Sequence, residues 1–575
     1  MTGGRSQVHK VNIFENMLSS CQGGVMKTLK KSQIIFLVLF VSLLSSLNHA
    51  EELTIKIDKI FEQFNSEQTP GVTVAVIQDQ DILFKKAYGM ASLELNVPNT
   101  TQTVFRIGSV SKQFTAACIA LLALEDRIDL NDPVTRYLTE LPESVYGSVS
   151  VKHMIHHSSG IRDSEALYPY MGIEYARWYT HDMLLHMLAR QNALSFSPGE
   201  MLEYSNSAYT LLALIVEKVT GKPFQEFIKE RIFDPLGMSH TLIQTSPGTL
   251  IPQRAAGYDR DSQGYINWMT NNQLIGHDAL YSSVEDMSKW AMASFNGKLD
   301  SRLIEIMTTP GTFNDGSLNN YGYGIVVNHF KGLKTWEHGG WYVGYTAYLI
   351  TFPEYKFSVV CLGNNVQGSR QQECLAIAEL FLADQIQDSL KKLRASAKKV
   401  NEKLLERLPG RYIGEAYAGI FPLEIKDGLP RPQGVQWSFE PSPFHKNEFI
   451  HFDDRLTLRV KAGDEGNDIV LDYLIPMGRK DRFKKMKEAN YEPDGPSPIL
   501  GEYWSEEIQA AATITQTEGK LRLKISLTEG ELTQIAPDFY RARREKLNFY
   551  RDEQGIIKGF KLSAYGFQGV IFEKR

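Results

Sequence analysis

Hydrophobic and polar positions change rhythm several times along the chain. Gly71 to Gly89, GVTVAVIQDQDILFKKAYG, sets two β-branched-rich runs around a tight polar turn and predicts a hairpin. After Ser109 the run VSKQFTAACIALLALEDRIDL is apolar nearly all round, which predicts a helix buried within the protein. From about Asp129 to Trp290 helical patterns dominate, broken by turns such as SPGE (Ser197 to Glu200) and DPLG (Asp234 to Gly237). Three strand-like runs follow, YGYGIVVNHF, GYTAYLITF and FSVVCLGN. A helix from about Gln371 closes this region and continues into the lysine-rich SLKKLRASAKKVNEKLL, a solvated face or linker. Strands thus lie at both ends of residues 51–390 with helices between them. That order predicts one sheet assembled from both ends, a helical subdomain, and a cleft where the two meet.

The remainder alternates polar and apolar residues, has many turns and shows hardly any helical period. It also repeats itself weakly. LPGRY (Leu408 to Tyr412) answers ILGEY (Ile499 to Tyr503), and one offset of 91 residues carries Gly410, Tyr412 and Gly428 onto Gly501, Tyr503 and Gly519. Three coincidences at one offset predict two copies of a small antiparallel β unit, barrel-like in form, against the alternative of one long β-rich domain. The expected division is an N-terminal extension and signal peptide at 1–50, an α/β domain with its helical subdomain at 51–390, a helical linker at 391–408, and β domains at 409–490 and 496–575.

Length and composition agree with this plan. At 575 residues the chain exceeds one hydrophobic core, and 43% apolar with 22% charged residues is an ordinary globular mixture. A net charge of −5 with no basic run interleaved with aromatics gives no footprint for nucleic acid. From Met26, MKTLKKSQIIFLVLFVSLLSSLNHAEE places three lysines before an apolar run and a short polar stretch ending at Ala50. This is the plan of a secretory signal peptide, and the apolar run is well short of the roughly 20 residues that span a bilayer. The expectation is translation from Met26, cleavage after Ala50, and a periplasmic or secreted protein with no stable membrane span. Cys118, Cys361 and Cys374 remain after cleavage, an odd number in apolar or helical patterns, and are expected as buried thiols.

Candidate chemistry begins at FRIGSVSKQF. Ser-x-x-Lys occurs three times, at Ser109/Lys112, Ser389/Lys392 and Ser396/Lys399, and the last two lie in the lysine-rich linker. Only Ser109 follows a glycine (Gly108) and precedes an apolar helix. Residues three apart on a helix share a face, so the Lys112 amine can reach the Ser109 hydroxyl. Burial beside an apolar helix lowers a lysine's pKa and makes it a base, and the helix start favours an oxyanion. Simple capping by Ser109 is the alternative for an isolated motif. Two further elements weigh against it. Tyr204-Ser205-Asn206 stands between a Pro-Gly turn and an apolar helix, and His338-Gly339-Gly340 stands immediately before a strand. A second Tyr-x-Asn, Tyr265 to Asn267, lies in a polar stretch with no helix after it.

In this order the three elements resemble the serine β-lactamase and penicillin-binding-protein superfamily, and Tyr-x-Asn is similar to its class C β-lactamase-like branch of D-aminopeptidases, D,D-carboxypeptidases and esterases. VKHMIHHSSGI, PFQEFIKERIFDPLGMSHT and GHDALYSSVEDMSKW add to the likeness, which covers roughly residues 55–385. The resemblance implies an α/β serine β-lactamase-like fold, an antiparallel sheet flanked by helices plus a helical subdomain. It implies Ser109 as nucleophile, Lys112 and Tyr204 sharing proton transfer with either as base, and Asn206 bonded to Lys112 or to a substrate amide. It also implies an oxyanion hole from the backbone N–H groups of Ser109 and Trp341, with His338, Gly339 and Gly340 as the third motif.

Classical β-lactamases carry Lys-Thr-Gly at that motif. His338, mostly neutral at pH 7, offers no permanent cation for a substrate carboxylate. His-x-Gly is similar to the D-aminopeptidase group, whose members carry two C-terminal β-barrels. The expected function is an exported serine hydrolase forming an acyl-enzyme on small amides or esters, with D-amino-acid peptides, cell-wall fragments included, as the leading substrates. The alternatives are an esterase, a weak class C-type β-lactamase, or a non-catalytic peptidoglycan- or peptide-binding protein. No cofactor and no metal are expected; His153 and His157 lack the glutamate of a His-Glu-x-x-His site and are expected as core or surface histidines.

Overall fold

A computed structural model describes residues 51–575 except 175–177, 369, 415–419, 452–455, 463–468, 475–479, 486–497 and 537. The expected signal peptide therefore lies outside the described residues, as does the expected boundary between the two β domains. Of the described residues, 51–62 fall in one unit, with 51–60 helical, and those from Gln63 to Arg575 form a second. No helix among the described residues is long and apolar enough to cross a membrane.

The second unit opens with strands β1 (Val72–Gln78) and β2 (Asp81–Tyr88), the predicted hairpin. Strands β3 (Val326–Phe330), β4 (Leu333–Tyr342), β5 (Tyr345–Phe352) and β6 (Phe357–Gly363) come from the far end of the region. All six make one antiparallel sheet in the order β3-β4-β5-β6-β1-β2. β1 pairs with β6, Val74 opposite Cys361, so the sheet is closed from both ends of the sequence as the pattern predicts. β5 and β6 are buried along their whole length, which suits their continuous β-branched and aromatic runs. Helices Val284–Ala293 and Arg370–Phe381 pack on the sheet. The helical part between β2 and β3 contains α1 (Ser111–Leu124) and α2 (Asn206–Thr220), which pack on each other. Cys118, Cys361 and Cys374 are buried and unpaired.

One expectation is corrected. His338 does not precede a strand; it lies inside β4, opposite Leu349 of β5. TWEHGGWYVG carries too much glycine and polar character to read as a strand, yet the sheet recruits it because both neighbours supply backbone partners. β3 pairs with β4 only up to Glu337, so His338 to Tyr342 continue with β5 alone and leave an edge facing the helical part.

The C-terminal region is all β. Strands from Gly410–Gly414 to Lys480–Lys485 form an eight-stranded antiparallel sheet, and those from Gly501–Ser505 to Phe567–Lys574 form a closed eight-stranded barrel. The repeat is structural in detail. Tyr412 donates its hydroxyl proton to the Leu408 carbonyl at 2.6 Å, and Tyr503 does the same to Ile499 at 2.6 Å. Gly428 and Gly519 both turn their hairpins with left-handed φ, +76° and +79°. The two sheets differ in attachment. The first has a core of its own, whereas the interior of the barrel is continuous with that of the catalytic region.

Candidate active site

Gly108 to Val110 form a 3-10 turn that leads into α1. Gly108 has φ +53°, and a Cβ there would come 2.8 Å from the Trp341 nitrogen. A Cβ on Gly340 would lie 1.9 Å from the Ile107 carbonyl oxygen. Both glycines are therefore required for the turn to approach the edge of β4, and that approach sets Ser109 beside the Trp341 N–H. α1 has no side-chain cap. The Ser109 side chain is engaged elsewhere, since Lys112 Nζ lies 3.1 Å from Ser109 Oγ.

Lys112 is fully buried and has two other partners. Its amine donates to Asn206 Oδ1 at 2.7 Å and to the His277 carbonyl at 3.0 Å. Both are pure acceptors, so a neutral amine spends its two protons on them and turns its lone pair to Ser109. Burial lowers the Lys112 pKa to about 7, against the opposing pull of Glu165, Asp163 and Asp278. Tyr204 lies below the amine, its ring centre 4.7 Å from Nζ. Its buried hydroxyl has no hydrogen-bond partner of good geometry, although it faces Ser109 closely enough to be influenced by it, and burial pushes its pKa well above the usual 10.0.

His338 is buried on the same side. Its Nδ1 donates to the Gly339 carbonyl at 2.6 Å, which fixes Nε2 as acceptor of the Tyr321 hydroxyl proton at 2.8 Å. Burial, with the nearby Lys112, lowers its pKa to about 3, so it is neutral at physiological pH. His157 accepts the Ser205 N–H at 3.1 Å and stacks on Tyr204 at 4.1 Å between ring centres. It braces the Tyr-x-Asn segment. His157 is buried, as expected of a core histidine; its bracing contact and the part played by Tyr321 carry no signal in the sequence.

A second network was also missed. Asn206 Nδ2 donates to Glu165 Oε2 at 2.9 Å and to Asp163 Oδ2 at 3.2 Å, so its carbonyl is turned toward Lys112. Glu165 Oε1 accepts from His277 Nε2 at 3.1 Å, and the adjacent Asp278 is held by buried Arg106 at 2.6 Å. Burial and the neighbouring Glu165 push the Asp163 carboxyl up. Asp163 caps a short helix, Ser164–Leu167, and a capping aspartate within RDSEAL is the one hint the sequence offers.

Ser109 and Trp341 separate two cavities. A cavity of about 380 Å³ is lined by Ser109, Tyr204, His338, Trp341, Tyr348 and Arg370. One of about 630 Å³ is lined by Ser109, Asp163, Glu165, Asn206 and Trp341, and also by Arg543, Arg544 and Tyr565 of the barrel. The decoys lie apart: Ser389/Lys392 on the exposed helix Ala383–Ala395, Ser396/Lys399 just beyond it, and Tyr265–Asn267 in a small surface hairpin. Ser109, Lys112, Tyr204, Asn206, His338 and Trp341 converge.

Residues 57–381 match the Beta-lactamase family model, more than half of the chain. The chain belongs to the β-lactamase family and is a serine β-lactamase-like hydrolase with C-terminal all-β parts. It is 29% identical to penicillin-binding protein 4* of Bacillus subtilis over 62% of this chain and 82% of that one. It is 27% identical to a D-aminopeptidase of Brucella melitensis over 88% of this chain and 96% of that one. In fold it is similar to an octameric penicillin-binding protein homologue from Pyrococcus abyssi, with a TM-score of 0.51 at 23% identity, covering 82% of this chain and 97% of that chain.

Proposed function

We propose that Ser109 is the nucleophile of an acyl-enzyme hydrolase acting on amides of amino acids with a free α-amino group, D-amino-acid peptides foremost. The observation that carries this reading is the Lys112 amine, held by two acceptors so that its third direction meets Ser109 Oγ. Lys112 takes the Ser109 proton, and Oγ bonds to the substrate carbonyl carbon. The carbonyl oxygen becomes an oxyanion received by the backbone N–H groups of Ser109 and Trp341. The C–N bond breaks as the amine leaves with a proton passed through Tyr204 from Lys112. Water then repeats the sequence on the ester, returning Ser109 and the free acid. Lys112, with a pKa of about 7, is the base in preference to Tyr204, whose phenol is pushed up rather than down.

The acidic pair Asp163 and Glu165 beside Ser109 supports a cationic α-ammonium on the acyl side. Neutral His338 supports a peptidase over a β-lactamase, since it gives a carboxylate no charge to pair with. Residues 26–50 are proposed as a signal that exports the protein; N-terminal sequencing of the mature chain tests this, with Glu51 expected first. For the chemistry, Ser109→Ala is expected to abolish turnover of D-alanyl amides, by on the order of 10⁶-fold, with melting unchanged. Near wild-type turnover in that variant places the nucleophile elsewhere. A side-by-side panel of D-alanyl and L-alanyl amides, a nitrophenyl ester and a cephalosporin tests the substrate class, with the D-alanyl amide expected first.

A further inference from the structure

The larger cavity carries charge of both signs. The catalytic region lines it with Asp163, Glu165 and Asp278, and the barrel lines it with Arg543, Arg544 and Glu545. The two arginines form the turn between strands Phe539–Ala542 and Glu545–Arg551, with Arg543 in the left-handed region at φ +46°. The next residue fixes the turn to the catalytic region, because Glu545 Oε1 accepts the Tyr170 hydroxyl proton at 2.9 Å. Both arginine side chains are exposed, and neither guanidinium forms an ion pair among the described residues. A turn anchored through Glu545 thus brings two guanidinium groups, without an ion-pair partner among the described residues, to the cavity that contains the nucleophile.

Tyr204, the proposed carrier of the leaving group's proton, lines the smaller cavity and not the larger. The leaving amine therefore belongs in the smaller cavity and the acyl group in the larger. At about 630 Å³ that cavity far exceeds the needs of a methyl side chain and falls within the usual range for whole small ligands, about 300–1,000 Å³. We infer that the larger cavity is an acyl-side subsite for amino acids with an anionic side chain. The α-ammonium pairs with Asp163 and Glu165, and the side-chain carboxylate pairs with Arg543 and Arg544. Guanidinium groups suit this role because their forked N–H groups match a carboxylate. The assignment rests on the acyl-enzyme reading above and adds the class of acyl residue.

The test compares D-glutamyl, D-glutaminyl and D-alanyl p-nitroanilides on the full chain and on Arg543→Gln/Arg544→Gln. D-Glutamine has the shape of D-glutamate without its charge. The full chain is expected to favour D-glutamyl over D-glutaminyl by about tenfold or more in kcat/KM, carried mainly by KM, as a charge-assisted contact provides. The preference is expected to shrink as salt rises, because the guanidiniums are exposed. It is expected to collapse to about one in the double variant, and the ratio between isosteric substrates is insensitive to general loss of fold. A ratio near one in the full chain, or an unchanged ratio in the double variant, overturns the subsite. If the D-alanyl compound turns over while the ratio is near one, only the subsite fails. If none of the three turns over while a fluorophosphonate still labels Ser109, the amino-acyl substrate class and the subsite fall together.

Discussion

The two C-terminal β units are copies of one design with different attachments. Each has its tyrosine bonded four residues back and its left-handed glycine in the same hairpin. Yet the first packs around Phe439, Phe449 and Leu458 in a core of its own, while the second shares a continuous core with the catalytic region. Phe567 of the barrel meets Tyr170 edge to face at 5.3 Å between centres. Arg162 pairs with Glu507 at 2.5 Å with both side chains 2% exposed, and the Asp163 N–H donates to the Gly566 carbonyl at 2.8 Å. The barrel therefore holds the segment that carries Asp163 and Glu165. The residues that repeat make the fold, and residues that do not repeat give one copy its place at the site.

Matched substitutions can break this contrast. The largest effect is expected for Arg162→Ala, which strands the buried Glu507 carboxylate and costs about 3–5 kcal/mol. Melting should fall, and turnover should fall with it because Asp163 is the next residue. A comparison within the first unit is Arg482→Ala, which removes a half-exposed partner of Asp472 while Lys461 stays at 3.1 Å. About 1 kcal/mol or less is expected there, with turnover untouched. Equal losses of activity in the two variants would erase the contrast. A smaller pair sharpens it: Tyr503→Phe and Tyr412→Phe each lose one buried hydrogen bond, about 1 kcal/mol. Thermal unfolding followed by loss of activity should shift for Tyr503→Phe and stay in place for Tyr412→Phe.

What the sequence revealed was local. Ser109 and Lys112 are three apart, Tyr204 and Asn206 two apart, and each pair is legible because a helix follows it. The meeting of strands from both ends was legible from their order, and the β repeat from its glycines and tyrosines. The position of His338 within β4 was not, because the glycine-rich end of that strand has little propensity of its own and, beyond Glu337, takes its form from β5 alone. Asp163, Glu165, His277 and Tyr321 were not, because each acts through a partner between 17 and 165 residues away and lacks a periodic signal. The Arg162–Glu507 pair spans 345 residues, and neither residue stands out among ordinary surface charges until the barrel docks.

The most direct test of the account is the rate at which a fluorophosphonate phosphonylates Ser109, with loss of fluoride, as a function of pH, followed by intact mass. Below about 7 Lys112 is protonated and has no lone pair for the serine proton, so the rate should fall about tenfold per pH unit. Above that value it should level off, and the adduct should be absent from Ser109→Ala. A rate that shows no break between pH 6 and 8, or an adduct that persists without Ser109, contradicts the account.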